Sequence, residues 1–105
     1  MNDRRLGRFI VPLEVIEQHP DLVVTAFAQM ELIVLRAEYL YVMQAIAYEG
    51  ISACFRTCPA GMVPPSYRVH IVPVEIQADD QVVTLAPQVS IEEIEAPRFS
   101  IFDLT

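Results

Sequence analysis

The segment from Asp21 to Gly50, DLVVTAFAQMELIVLRAEYLYVMQAIAYEG, contains no proline and no glycine before its last residue. A run so long and so apolar has to be covered on most of its surface, so its conformation decides how the rest of the chain is arranged. As a helix it offers strong helix formers from Ala26 to Glu49, Thr25 as an N-cap and Gly50 as a C-terminal stop. As a strand it places apolar residues at 22, 24, 26, 28, 30, 32 and 34, with Thr25, Gln29 and Glu31 on the other face. The first half fits both periods, and 22–36 stays open between helix and strand. The second half sets Glu38, Gln44 and Glu49 against Leu40, Met43, Ile46 and Ala47, which predicts a helix over 37–49.

The flanking segments read more simply. GRFIV (7–11) has the composition of a short strand, and VPLEVIEQHP continues as about two helical turns, with Leu13 and Ile16 inward and Pro20 as the stop. YRVHIVPVEI (67–76) alternates on Tyr67, Val69 and Ile71, and then the apolar phase switches to Val72, Val74 and Ile76. Pro73 sits at that switch, which predicts a β-bulge or an edge strand. QADDQ (77–81) is a turn, and VVTLA (82–86) returns as the antiparallel partner. SIEEIEAP (90–97) has the spacing of a capping box and equally the look of an acidic strand with Val89 and Ile91 inward; RFSIFDL (98–104) reads as a last strand on Phe99 and Ile101. The expected fold is therefore a single α+β domain over 1–105, a small antiparallel sheet of about four strands packed against one main helix.

Hydropathy bears on assembly. The chain of 105 residues is 53% apolar, which is more than a lone small domain hides, and cover from another chain is expected, most simply as a homodimer. All seven cations are arginines, and Arg4, Arg5 and Arg8 give the first eight residues a net +2 against −9 for the remainder. So acidic a body repels phosphate backbones, which argues against direct nucleic-acid binding and for a basic or apolar protein surface as partner. FIVPL is cut off by Glu14, too short for an export signal, and Glu31, Arg36 and Glu38 interrupt the longest apolar region, so no membrane span is expected. A cytoplasmic protein with reduced thiols follows as the expectation.

CFRTCPAGMVPPSYRVH (54–70) gathers both cysteines and one of the two histidines. Cys54 and Cys58 have a permissible zinc spacing, but a second ligand pair is missing after His70 and His19 is remote, so a proline-bent turn flanked by two small buried thiols is expected, with no metal and no cofactor. Nucleophilic chemistry would need His70 beside Cys54 or Cys58. Gly7, Gly50 and Gly61 are isolated and form no phosphate loop, and a non-catalytic protein is expected. The candidate binding residues are the acids Glu75, Asp79, Asp80, Glu92, Glu93 and Glu95, which form one negative patch if the hairpin and the segment after it are neighbours, together with Tyr39 and Tyr41 as interface anchors.

The run from Ala45 to Val72 resembles a pattern in small bacteriophage-encoded proteins: a short YxxIS helix, an aromatic, a Pro/Gly turn and PxY leading a strand. Tyr48, Ile51, Ser52, Phe55, Gly61, Pro65 and Tyr67 are the matching positions, over about a quarter of the chain. The resemblance implies a phage origin and a chain that binds and modulates, or inhibits, a host protein; it carries over no catalytic residue. Two other classes remain beside this one: a structural subunit of a larger assembly, and a small ligand-binding domain or enzyme using His70 with Cys54 or Cys58.

Overall fold

The computed structural model describes residues 5–96, and the strand expected over 98–104 lies outside them. The chain runs as strand β1 (Arg5–Pro12), helices α1 (Leu13–Gln18) and α2 (Pro20–Met30), and strands β2 (Ile33–Leu40), β3 (Ala45–Ser52), β4 (Ser66–Ala78) and β5 (Gln81–Ile94). The strands form one sheet in the order β2-β3-β1-β4-β5. All neighbouring pairs are antiparallel except β1 and β4, which run parallel and pair only from Arg8–Ser66 to Ile10–Arg68.

The opening strand and the helical turns after it form as their residues predict, but α1 buries Val15, with Ile16 partly buried beside it and Leu13 outside the core cluster. Pro12 ends β1, and Glu14 lies in the first turn of α1. Pro20 does not stop the helical region. It occupies the first turn of α2, where a missing amide hydrogen costs nothing, and His19 joins the helices by donating its N–H to Val15 O (2.8 Å) and accepting from Val23 N (3.1 Å). Thr25 is no cap; its hydroxyl donates within α2 to Asp21 O.

The expected α+β fold, a small antiparallel sheet against one main helix at 37–49, is overturned. The sheet is five-stranded and mixed, the helices are short, and 37–49 is the greater part of the β2–β3 hairpin. The open segment 22–36 divides: helix as far as Met30, a left-handed Glu31 (φ 48°), then strand. The helical period in 37–49 arises because β3 lies between β2 and β1 with both faces occupied. Ala45 and Ala47 pack with Ile10 on one face while Tyr48 faces the other, so the two-residue alternation of a half-buried strand disappears. Glu38 and Glu49, which look like the polar stripe of a helix, stand on neighbouring strands instead, Glu38 opposite Ala47 and Glu49 opposite Arg36. Arg36, Glu49 and Arg8 stand in one row across β2, β3 and β1, with Arg36 Nε 2.5 Å and Arg8 Nε 3.1 Å from the Glu49 carboxylate. Gly50 is not a helix stop. It lies opposite the bulge between Val34 and Arg36, and a Cβ there would run into the carbonyl of Ile33.

The main core lies between the sheet and the helices. Phe9 and Val11 of β1 and Val69 of β4 meet Val15, Val23, Ala26 and Met30, and Phe55 closes the cluster over Gly7. Phe27 bridges Phe9 and Tyr48 edge-to-face, at ring centroid distances of 5.2 and 4.8 Å. The opposite face of the sheet carries a smaller buried cluster of Ile10, Leu40, Ala45 and Ala47. Ser52, fully buried at the end of β3, ties sheet to helix: its hydroxyl donates to Met30 O (2.5 Å) and accepts from Cys54 N (3.0 Å).

Candidate functional site

The β4–β5 hairpin is longer than the body of the sheet needs. Its register holds from Ser66–Ile94 to Val72–Gln88, slips by one residue at Pro73, and resumes from Val74–Leu85 to Ala78–Gln81. Within that slip Pro73 faces Ala86 and Pro87, so the extra residue is on β5 and both strands are spared a ladder donor at a proline. Asp79 and Asp80, both at positive φ (49° and 63°), make the two-residue turn. Bulge, hairpin and turn are as the residues predict, and SIEEI resolves into strand, with Val89 and Ile91 against the core.

Beyond the bulge the hairpin is an arm outside the main core, and the radius of gyration of 16.0 Å exceeds the about 13 Å of a compact domain of 100 residues. The apolar phase switch acquires its physical meaning here. Through Ile71 the apolar side chains of β4 face the helices; from Val72 onward they lie on the opposite face of the ribbon, because nothing in the arm lies under a helix. By the register, Val74, Ile76, Val83 and Leu85 share one face of the arm, and Glu75, Gln77, Val82 and Thr84 share the other. The arm is therefore an amphipathic two-stranded ribbon, and Ile76, Val83 and Leu85 remain 48%, 40% and 44% exposed. The expectation missed this face as a site, although the phase change at Val72 was the signal for it.

The six acids do not collect in one place. Glu75, Asp79 and Asp80 lie on the arm and its tip, while Glu92, Glu93 and Glu95 lie at its base; along β4 from Arg68, which faces Glu92, Glu75 is roughly 23 Å away and the tip at Ala78 roughly 33 Å. The basal acids are already engaged. Glu93 accepts a hydrogen bond from Arg56 Nε at 2.8 Å, which holds its carboxyl below the usual range and raises the guanidinium. Arg56 also donates its backbone N–H to the Tyr67 hydroxyl (2.8 Å), whose burial against Phe55 pushes the phenol up. Glu92 Oε1 is 3.0 Å from His70 Nε2. The tip acids make no ion pair among the described residues. Tyr39 and Tyr41 lie at the far end of the sheet, ring to ring at 6.3 Å and both exposed, beside the open edge strand β2.

The segment 53–65 is irregular, as the prolines and Gly61 (φ 84°) predict. Its thiols, however, are not buried: Cys54 is exposed, and Cys58 is half-buried with its Sγ 3.3 Å from Val63 O. No cluster of three His, Cys, Asp or Glu side chains suited to a metal occurs among the described residues. No helix among them is long and apolar enough to cross a membrane. Compared with protein-family models, curated proteins and solved structures, the chain matches none.

Proposed function

We propose that the chain is a non-catalytic, self-associating interaction module in which the β4–β5 arm of one copy lays its apolar face on that of a second copy. The observation that carries the reading is the division of the arm into a wholly apolar face, Val74, Ile76, Val83 and Leu85, and a mainly polar face, Glu75, Gln77 and Thr84 with Val82. A two-stranded ribbon is marginal alone in water, and such a face gains stability only when covered. Fully burying an aliphatic side chain is worth about 1.5–3 kcal/mol, so the exposed halves of Ile76, Val83 and Leu85 on two copies supply about 4–9 kcal/mol. That is the same order as the ~4–15 kcal/mol cost of association, so self-association is concentration-dependent and sensitive to one charge. Pairing like face to like face is two-fold and closes as a dimer.

Light scattering across a concentration series tests it. The mass rises from 11.9 kDa toward twice that value for the native chain and stays at 11.9 kDa for Val83→Glu, whereas Val82→Glu, on the polar face, associates normally. A native chain that stays monomeric throughout, or a Val83→Glu variant that associates unchanged, removes the reading.

A second reading, docking on a basic protein, is favoured by the unpaired acids Glu75, Asp79 and Asp80 at the tip. It predicts salt-sensitive capture of a basic partner that charge reversal at Asp79 and Asp80 abolishes, with reversal at Glu92 and Glu93 having less effect. The resemblance to phage proteins supports binding to a host protein by analogy alone and assigns no residue.

A further inference from the structure

The parallel ladder between β1 and β4 ends at Ile10–Arg68, and at Pro12 the chain turns away into α1 while β4 continues. The divergence opens a cleft of about 250 Å³ lined by Glu14, Gln18 and His19 from the helical side and by Arg68 and His70 from β4. Both histidines of the chain, far apart in sequence, meet there.

The permanent cation of the cleft lacks an acceptor. Arg5, Arg8, Arg36 and Arg56 each have a carbonyl or carboxylate partner; Arg68 has none among the described residues, and its Nε is buried without a hydrogen bond. His70 Nε2 is also buried; Glu92 Oε1 lies 3.0 Å from it, but no hydrogen bond is formed there. A guanidinium is donor-only and permanently charged, and taking its N–H out of water with no acceptor is costly. An oxyanion placed in the cleft supplies that acceptor and turns the cost into a charge-assisted bond.

We propose that this cleft binds the phosphate or carboxylate group of a small ligand, with Arg68 as the anchoring charge and His19 and His70 as flanking donors. The volume lies below that of most drug-sized sites and limits the ligand to a small one. Glu14 in the wall and Glu92 beside His70 limit its charge, so one oxyanion group fits and a polyphosphate does not.

The test uses the full chain in a buffer of Tris and chloride, titrated separately with inorganic phosphate and with succinate. Two-dimensional NMR follows the Arg68 Nε–H and the ring C–H resonances of His19 and His70. At least one probe gives a saturable shift of all three with an affinity of about 1 mM or tighter; phosphate alone marks a phosphorylated ligand, succinate alone a carboxylate. Arg68→Gln weakens binding at least about tenfold, the loss of one charge-assisted bond. His19→Ala, outside the sheet, weakens it several-fold and keeps the test open should Arg68→Gln fail to fold. No saturable shift with either probe, or binding unchanged in both variants, overturns the proposal. Running the same titration on Val83→Glu separates this site from self-association, because the cleft is far from the arm's apolar face.

Discussion

Two buried serines make opposite predictions for the same substitution. Ser52 and Ser66 are both fully buried, and removing either hydroxyl deletes one oxygen from a sealed site. Ser52 Oγ, however, bridges Met30 O and Cys54 N, whereas Ser66 Oγ has no hydrogen-bond partner. In Ser52→Ala two net bonds of about 0.5–1.5 kcal/mol each are lost and the Met30 carbonyl is left to a buried site, giving a destabilisation of about 2–3 kcal/mol. Because the bridge joins the end of α2 to the end of β3, the loss falls on the cooperative unit and not on a frayed end. In Ser66→Ala the unpaired hydroxyl no longer has to be stripped of water, so the change is neutral or stabilising by about 1 kcal/mol. For a chain of this length each kcal/mol moves the melting temperature by about 4–8 °C, so the two variants separate by about 8 °C or more. Urea denaturation at fixed low protein concentration, followed by circular dichroism, measures both and keeps self-association from contributing. Equal destabilisation by the two substitutions would refute the reasoning, since burial alone would then govern the cost.

Three further outcomes are expected. Gly50→Ala forces a methyl group into the Ile33 carbonyl at the β2–β3 bulge and costs about 2–4 kcal/mol by the same denaturation assay, with the loss concentrated in hydrogen-exchange protection of β2. The Glu93 carboxyl is held low by Arg56, so its contribution to stability is fully present above the ordinary carboxyl range and is lost as pH falls from that range down through the lowered native midpoint; carbon-detected NMR finds that midpoint low in the native chain and returned to the ordinary range by Arg56→Gln. Ile76→Lys lowers the self-association seen by light scattering as Val83→Glu does, because the two residues are cross-strand neighbours on one face.

Legibility from sequence followed how local the determining physics was. GRFIV, the two helical turns after Pro12, the Asp79–Asp80 turn and the bulge at Pro73 rest on contacts within a few residues, and each could be read from composition and proline position. The segment 37–49 could not, because Ala45, Ala47 and Tyr48 are apolar for different reasons, some facing Ile10 and one facing Phe27, and only the position of β3 inside the sheet sets them apart. Glu49 misled for the same cause: its partners Arg36 and Arg8 come from β2 and β1, whereas Glu38 pairs with Arg36 two residues earlier on its own strand. At the candidate site the apolar switch at Val72 was visible, but its meaning depended on where the helices end over the sheet. The separation of Asp79 and Asp80 from Glu92 and Glu93 depended on hairpin length. The meeting of His19 with Arg68 and His70 required the parallel β1–β4 pairing, a long-range feature that no local pattern announces.

The placement of β1 has a consequence during synthesis. The first strand to be made is the middle strand of the finished sheet, flanked by β3 on one side and β4 on the other. At a translation rate of about 5–20 residues per second, Phe9, Ile10 and Val11 wait about 3–12 s between their own emergence and that of Ser66, the first residue of their second neighbour. For that interval the nascent chain can shelter this strand only with α2 and the β2–β3 hairpin. Whatever shortens the wait or masks residues 9–11 on the ribosome should therefore raise the yield of native protein.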